Sequence, residues 1–117
     1  IEEVFRRALA VQPALDLAGP DRALALLYVR APGWPTGPGD PDLGLQHARM
    51  ALARRPDYPP NLMALAEALA ATGDAAASRD AYRRALELAR GLAAGGDRDA
   101  PEWVAEAGKA LRNSGDE

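Results

Sequence analysis

The feature that most limits what this chain can fold into is a pattern that returns at a fixed interval. Three stretches, IEEVFRRALAVQP, GLQHARMALARRP and SRDAYRRALELAR, carry Ala-Leu at the same place, as Ala8-Leu9, Ala51-Leu52 and Ala85-Leu86. Phe5, Ala48 and Tyr82 stand three residues before each alanine. Pro13 and Pro56 stand five residues after the first two, where the third stretch has Arg90. The interval from Ala51 to Ala85 is 34, and so is that from Gly39-Asp40 to Gly73-Asp74. Ala8 to Ala51 is 43, so the first interval is nine residues longer. A unit this short cannot bury its own apolar face and has to stack on its neighbours, so a repeat array is the fold to expect.

The unit is helical. Apolar residues make up 48% of the chain and are mostly Ala and Leu, with few β-branched residues and one Phe, three Tyr and two Trp. Strands draw on β-branched and aromatic side chains, so this balance favours helix. Turn residues then mark the ends. Helices are predicted over about 1–11, from Pro20-Asp21 to Arg30, from about Asp42 to Arg54, and from about Asn61 to Ala71. A fifth follows Asp74, an N-cap residue type, to Leu92 or Ala94, where Gly95-Gly96 stop it. The last opens at DAPE, with Asp99 and Glu102 spaced as in a capping box, and carries Trp103, Val104, Ala107, Ala110 and Leu111. APGWPTGPGD, Ala31 to Asp40, interrupts this order with a proline at every third residue and a tryptophan. The helical register resumes on both sides of it. It therefore reads as a lengthened turn inside one hairpin, with Gly39-Asp40 as the ordinary turn and the nine extra residues ahead of them. A tryptophan in a long loop argues for order, and Trp34 is expected to brace the two flanking helices. The other readings of Trp34 are a contact with a ligand or partner over the groove, and an exposed P-x-x-P surface.

LMALAEALAATGDAAASRDAYRRALEL resembles a tetratricopeptide (TPR) repeat. Leu62, Leu65, Ala66 and Leu69 match its first helix, Gly73-Asp74 its turn, and Ser78, Tyr82, Ala85 and Leu86 its second helix. Leu62 stands where Trp is commonest, Ser78 where Ala is, and Arg90 where Pro usually ends the repeat. The resemblance implies an all-α, right-handed solenoid of antiparallel helix pairs, about six helices in one domain over 1–117. The divisions would be a half repeat over 1–13, a long-loop repeat over 14–56, a regular repeat over 57–90 and a capping helix over 99–114.

A narrower resemblance covers roughly Asp16 to Asp74. Gly19, Pro20, Arg22, Tyr28, Ala31, Pro32, Gly33, Trp34, Pro35, Gly39, Asp40 and Pro56 are similar to the run found in the TPR component associated with TRAP-type transporters and in related exported bacterial TPR lipoproteins. That resemblance implies a periplasmic, lipid-anchored accessory that docks a solute-binding protein. The chain has no cysteine to carry such an anchor. It opens on IEEVFRRALAV, already helical in pattern, so the expectation is a fragment whose leader and tether lie upstream.

Several functions are disfavoured by composition. A net charge of −3 lacks the concentrated basic surface that nucleic acid needs. With no cysteine and the single histidine His47, thiol catalysis and histidine-pair metal sites are excluded. His47 reads as a packed or half-exposed helix residue, Asp97, Asp99 and Glu102 as capping groups rather than a calcium loop, and Asp80–Arg84 and Arg83–Glu87 as ion pairs on a solvated face. No catalytic, cofactor or metal constellation is visible, and the expectation is a protein that is not an enzyme. In a TPR array the first helix of each pair lines the concave groove. The candidate lining residues are Leu24, Leu27 and Tyr28, then Asn61, Met63 and Glu67, with Trp34 overhanging. Met63 and Glu67 stand where carboxylate-clamping TPRs place basic residues, so the groove suits a partner's peptide or helix, a solute-binding protein, or an apolar or organic-acid small molecule.

Overall fold

The computed structural model describes residues 19–113. Among them are five helices: α1 (Gly19–Arg30), α2 (Pro41–Arg54), α3 (Pro59–Ala71), α4 (Ala75–Ala94) and α5 (Ala100–Asn113). The fold is all-helical over these residues, apart from an isolated bridge between Gly33 and Gly39. The helix expected over 1–11, and the half repeat 1–13 with it, lie outside the described residues.

The helix ends have local causes. Asp40 is extended, and its Oδ1 accepts from the Leu43 amide (3.2 Å) while Pro41 fills the first turn of α2. Asp74 does the same for the Ala77 amide (3.1 Å) at the start of α4. These caps satisfy amides that have no partner inside the helix. Pro59-Pro60 open α3 without a side-chain cap. It closes where Thr72 Oγ1 donates to the Ala68 and Leu69 carbonyls (3.0 and 3.1 Å) and Gly73 turns the chain with φ +94°. The start of α5 differs from the capping-box expectation. Asp97, not Asp99, supplies the side chain: its Oδ1 accepts from the Asp99 and Ala100 amides (2.9 and 3.2 Å), and Asp99 contributes its backbone carbonyl to the Glu102 amide (3.1 Å). On the solvated face of α4, Asp80 pairs with Arg83 (3.1 Å) rather than with Arg84.

Consecutive helices pack against each other. In addition α1 packs on α3 and α3 on α5, whereas the backbones of α2 and α4 do not approach each other, and Leu45 of α2 reaches the cluster that Ala66, Leu69 and Ala81 form. The odd-numbered helices therefore lie side by side, and the even-numbered ones back them. Central α3 is buried almost all round, through Pro59, Asn61, Leu62, Met63, Ala64, Ala66, Ala68 and Leu69. The joints rest on small residues. Ser78, Ala81, Ala85 and Ala89 form the buried stripe of α4, and Leu62, Met63, Ala85 and Ala107 form one cluster that includes α5, with Tyr82 and Trp103 against its edge. Small side chains let helix axes approach, and the large neighbours fill the remaining space.

The hairpins α1–α2 and α3–α4 share one frame. In the second, Ser78 Oγ donates to the Ala66 carbonyl (2.7 Å) at the point of closest approach. In the first, Gly44 faces the Ala25 carbonyl so closely that a Cβ would stand 3.0 Å from that oxygen and 2.7 Å from Val29 Cγ2. The Asp40 amide donates to the Tyr28 carbonyl (2.8 Å) as the Asp74 amide donates to that of Leu69 (2.9 Å). The interval from Tyr28 to Leu69 is 41 and that from Asp40 to Asp74 is 34, so the turn holds seven extra residues, not nine.

The long turn is a closed, hydrogen-bonded ring. Gly33 O accepts from the Thr36 and Gly37 amides (3.0 and 3.1 Å), and Pro32 O from the Gly39 amide (2.7 Å). The neck admits only glycine at position 39: a Cβ there would clash with the Ala31 carbonyl and stand 2.7 Å from the Pro32 carbonyl. Because the neck is pinned, the surplus bulges outward, and Trp34 at its tip is 89% exposed. Trp34 does not brace α1 and α2 as expected. The ring is held by its own backbone and needs no brace.

Candidate functional site

One groove opens on the side where the odd-numbered helices meet, with a cavity of about 320 Å³. Arg22, Leu26 and Arg30 of α1 stand four residues apart on one helical stripe and form one wall. Trp103, Glu106 and Ala110 of α5 form the other. Pro60, Met63, Ala64 and Glu67 of α3, with Tyr82 reaching in from α4, make the floor.

The polar groups are held in place. Arg30 forks onto Glu67, with Nε donating to Oε2 (2.7 Å) and Nη2 to Oε1 (2.9 Å), which ties α1 to α3 at the rim. That hydrogen-bonded pairing, helped by the charges of Glu67 and Glu106, raises the Arg30 pKa above its ordinary value against the opposing effect of burial. Burial first, and the neighbouring carboxylates second, raise the Tyr82 hydroxyl, so the phenol stays neutral and able to donate into the groove. Arg22 Nη1 donates to Asn61 Oδ1 (2.8 Å), and its guanidinium lies 5.2 Å from the Tyr58 ring centroid. Tyr58 meets Trp103 edge to face at 5.3 Å, so an aromatic and cationic ladder runs under one end of the groove.

Of the residues expected to line the groove, Met63 and Glu67 do so. Leu24, Tyr28 and Asn61 are buried in the core instead, Leu27 is half-buried away from the lining, and Trp34 stands out on its loop. The cause is a phase error on α1. Placing all nine surplus residues in the turn makes Leu24 the counterpart of Glu67; the true division of the surplus gives that place to Leu26. Two residues rotate a helix by about 200°, which exchanges its core face for its groove face. The same offset applied to Met63 gives Arg22, so the position of the turn was the missing signal. Asn61 is a stitch rather than a ligand group, because its Nδ2 donates to the Ala51 and Arg55 carbonyls (3.2 and 3.3 Å).

His47 and Asp21 form a second polar cluster, within the core. His47 Nδ1 lies 3.1 Å from Asp21 Oδ1, and its ring stacks on Tyr28 with centroids 5.7 Å apart. Asp21 is fully buried. Its Oδ2 accepts no hydrogen bond, and Arg54 Nε lies 3.8 Å away. The sequence shows His47 as a packed or half-exposed helix residue and Asp21 only as part of the Pro20-Asp21 helix start. Their pairing crosses from one helix to the next and leaves no local signal.

Among the described residues no group of three His, Cys, Asp or Glu side chains could hold a metal ion. None of the described helices is long and apolar enough to cross a membrane. Comparisons of the chain with protein-family models, curated proteins and solved structures give no match. Fold and site together define an all-helical protein whose alternate helices build one amphiphilic groove.

Proposed function

We propose that the chain is a TPR-type interaction module, a non-enzymatic scaffold that holds a helix or extended segment of a partner protein in this groove. The observation that carries the reading is that α1 packs on α3 and α3 on α5 while the backbones of α2 and α4 stay apart, and that residues of α1, α3 and α5 line one shared groove. The fixed repeat interval and the small residues at the closest approaches support a curved stack of hairpins. Leu26, Met63 and Trp103 offer an apolar strip between charged rims, which suits an amphipathic helix with anchors on one face. The resemblance over Asp16 to Asp74 makes an exported solute-binding protein the first partner to try.

Selection of helical peptides from a display library against the full chain tests the reading. The expected result is a family of binders that lose affinity on Leu26→Glu, with the helical circular dichroism of the variant unchanged. Binders indifferent to Leu26→Glu and Ala110→Glu, or no binders, overturn it. The cavity volume also reaches the lower end of small-molecule sites, roughly 300 Å³ and upward. A co-purifying mass in native mass spectrometry would replace the scaffold with a carrier of an apolar or organic-acid ligand.

A further inference from the structure

We infer that the groove also receives Trp34 of a second copy of the chain, so that the protein associates head to tail through a plug and a socket. The inference rests on the reading of the groove as the binding face and assigns it a second occupant.

The plug is unusual in its environment. Trp34 is 89% exposed, against 43% for Met50 and 37% for Leu92, the other large apolar side chains at the surface among the described residues. An indole carries one of the largest apolar surfaces of any side chain, and Trp is prominent among the residues that anchor interfaces. The ring from Ala31 to Gly39 holds no ionisable side chain, and Pro32, Gly33, Pro35 and Thr36 are exposed beside Trp34. The loop therefore presents a neutral knob that can be buried without stripping water from a charge. Its hydrogen-bonded neck fixes the knob before contact, which lowers the ordering cost of binding.

The socket matches it in chemistry. Leu26 and Met63 supply apolar contact, Trp103 and Tyr82 supply rings for edge-to-face packing, and Arg30 supplies a guanidinium for the indole face. The cavity of about 320 Å³ sits at the scale of one small ligand. Plug and socket are built from different residues, so the contact is heterologous, and each added copy leaves one plug and one socket open. A contact made by one loop is small and reversible, and a partner peptide in the groove would compete with it.

Sedimentation of the full chain tests this. The weight-average mass should rise with concentration beyond that of a dimer as the protein approaches about 1 mM, the affinity scale of a small transient contact. Trp34→Ala removes the plug and keeps the socket; Leu26→Glu blocks the socket and keeps the plug. Each alone should stay monomeric, and their equimolar mixture should form a one-to-one dimer and stop there. If Leu26→Glu loses helix, Ala110→Glu blocks the same groove. A wild-type chain that stays monomeric, association that survives Trp34→Ala, or a mixture that does not pair overturns the inference. If Trp34→Ala still binds the selected peptides while the wild type never associates, the inference falls and the proposed function stands. Loss of peptide binding to the groove in every variant, wild type included, removes both.

Discussion

The α1–α2 and α3–α4 hairpins have the same frame and different contents. Each closes on an Asp cap, and each brings a small residue of its second helix onto the backbone of its first. Where the second hairpin has Leu62 and Ala81 in its core, the first has Asp21 and His47 at the equivalent positions. Where the second turns in a Gly-Asp pair, the first adds seven residues and a solvent-facing tryptophan. Packing of small residues at the crossing is therefore sufficient to fix the pair, and both core polarity and turn length can vary around it.

The largest test exchanges the core contents. His47→Ala leaves the Asp21 carboxylate buried without its hydrogen-bonded partner and should cost about 3–5 kcal/mol in urea unfolding. Asp21→Leu, which leaves His47 unpaired, should cost about 1–3 kcal/mol. The double variant copies Leu62 and Ala81 and should recover to within about 1.5 kcal/mol of wild type, a coupling that a double-mutant cycle reads directly. Additive losses would show that the pair is not the counterpart of the apolar one.

The glycines of the two turns come next. Gly73 is needed for its positive φ of +94°, with nothing near its Cβ position; Gly39 is needed because the neck has no room. Asn tolerates the left-handed region, so Gly73→Asn should cost less than about 1 kcal/mol, whereas Gly39→Asn should cost about 1–3 kcal/mol through the clash. Thermal melts of the two variants should separate clearly, and equal losses would break the distinction. Smaller still are the caps: Asp40→Ala and Asp74→Ala should each lose about 1 kcal/mol and match each other closely, since their geometry is the same. Trp34→Ala should lie within about 0.5 kcal/mol of wild type at low protein concentration, as expected for a side chain that touches little of its own fold. A loss several times larger would restore the bracing role.

Much of the fold was legible because its punctuation is local. Pro20, Asp74, Gly73 and Gly95-Gly96 mark helix ends by chain geometry alone, whereas α2 and α3 open on Pro41 and Pro59, one and two residues ahead of the expected Asp42 and Asn61. The site was less legible because it depends on phase. The surplus could be counted from the repeat, but how it divides around α1 depends on which amide meets the Tyr28 carbonyl, a contact across the hairpin. Two residues of misplacement sent Leu24 and Tyr28 to the groove and kept Arg22, Leu26 and Arg30 out of it. The Asp21–His47 pair was hidden for a related reason, since neither residue has a local signal of burial. Trp34 misled because buried indoles are the common case, and the tight neck that turns it outward depends on glycines whose crowding only the folded chain shows.

The most direct test of the central claim, that the groove between α1, α3 and α5 is the binding face, uses its own chromophore. The chain has two tryptophans, so Trp34→Phe leaves Trp103, in the groove wall, as the only one. Titration of a selected helical peptide lacking tryptophan should shift Trp103 emission saturably, and Leu26→Glu should abolish the shift. Binding that leaves Trp103 emission unchanged, or that survives Leu26→Glu, would place the partner elsewhere and contradict the account.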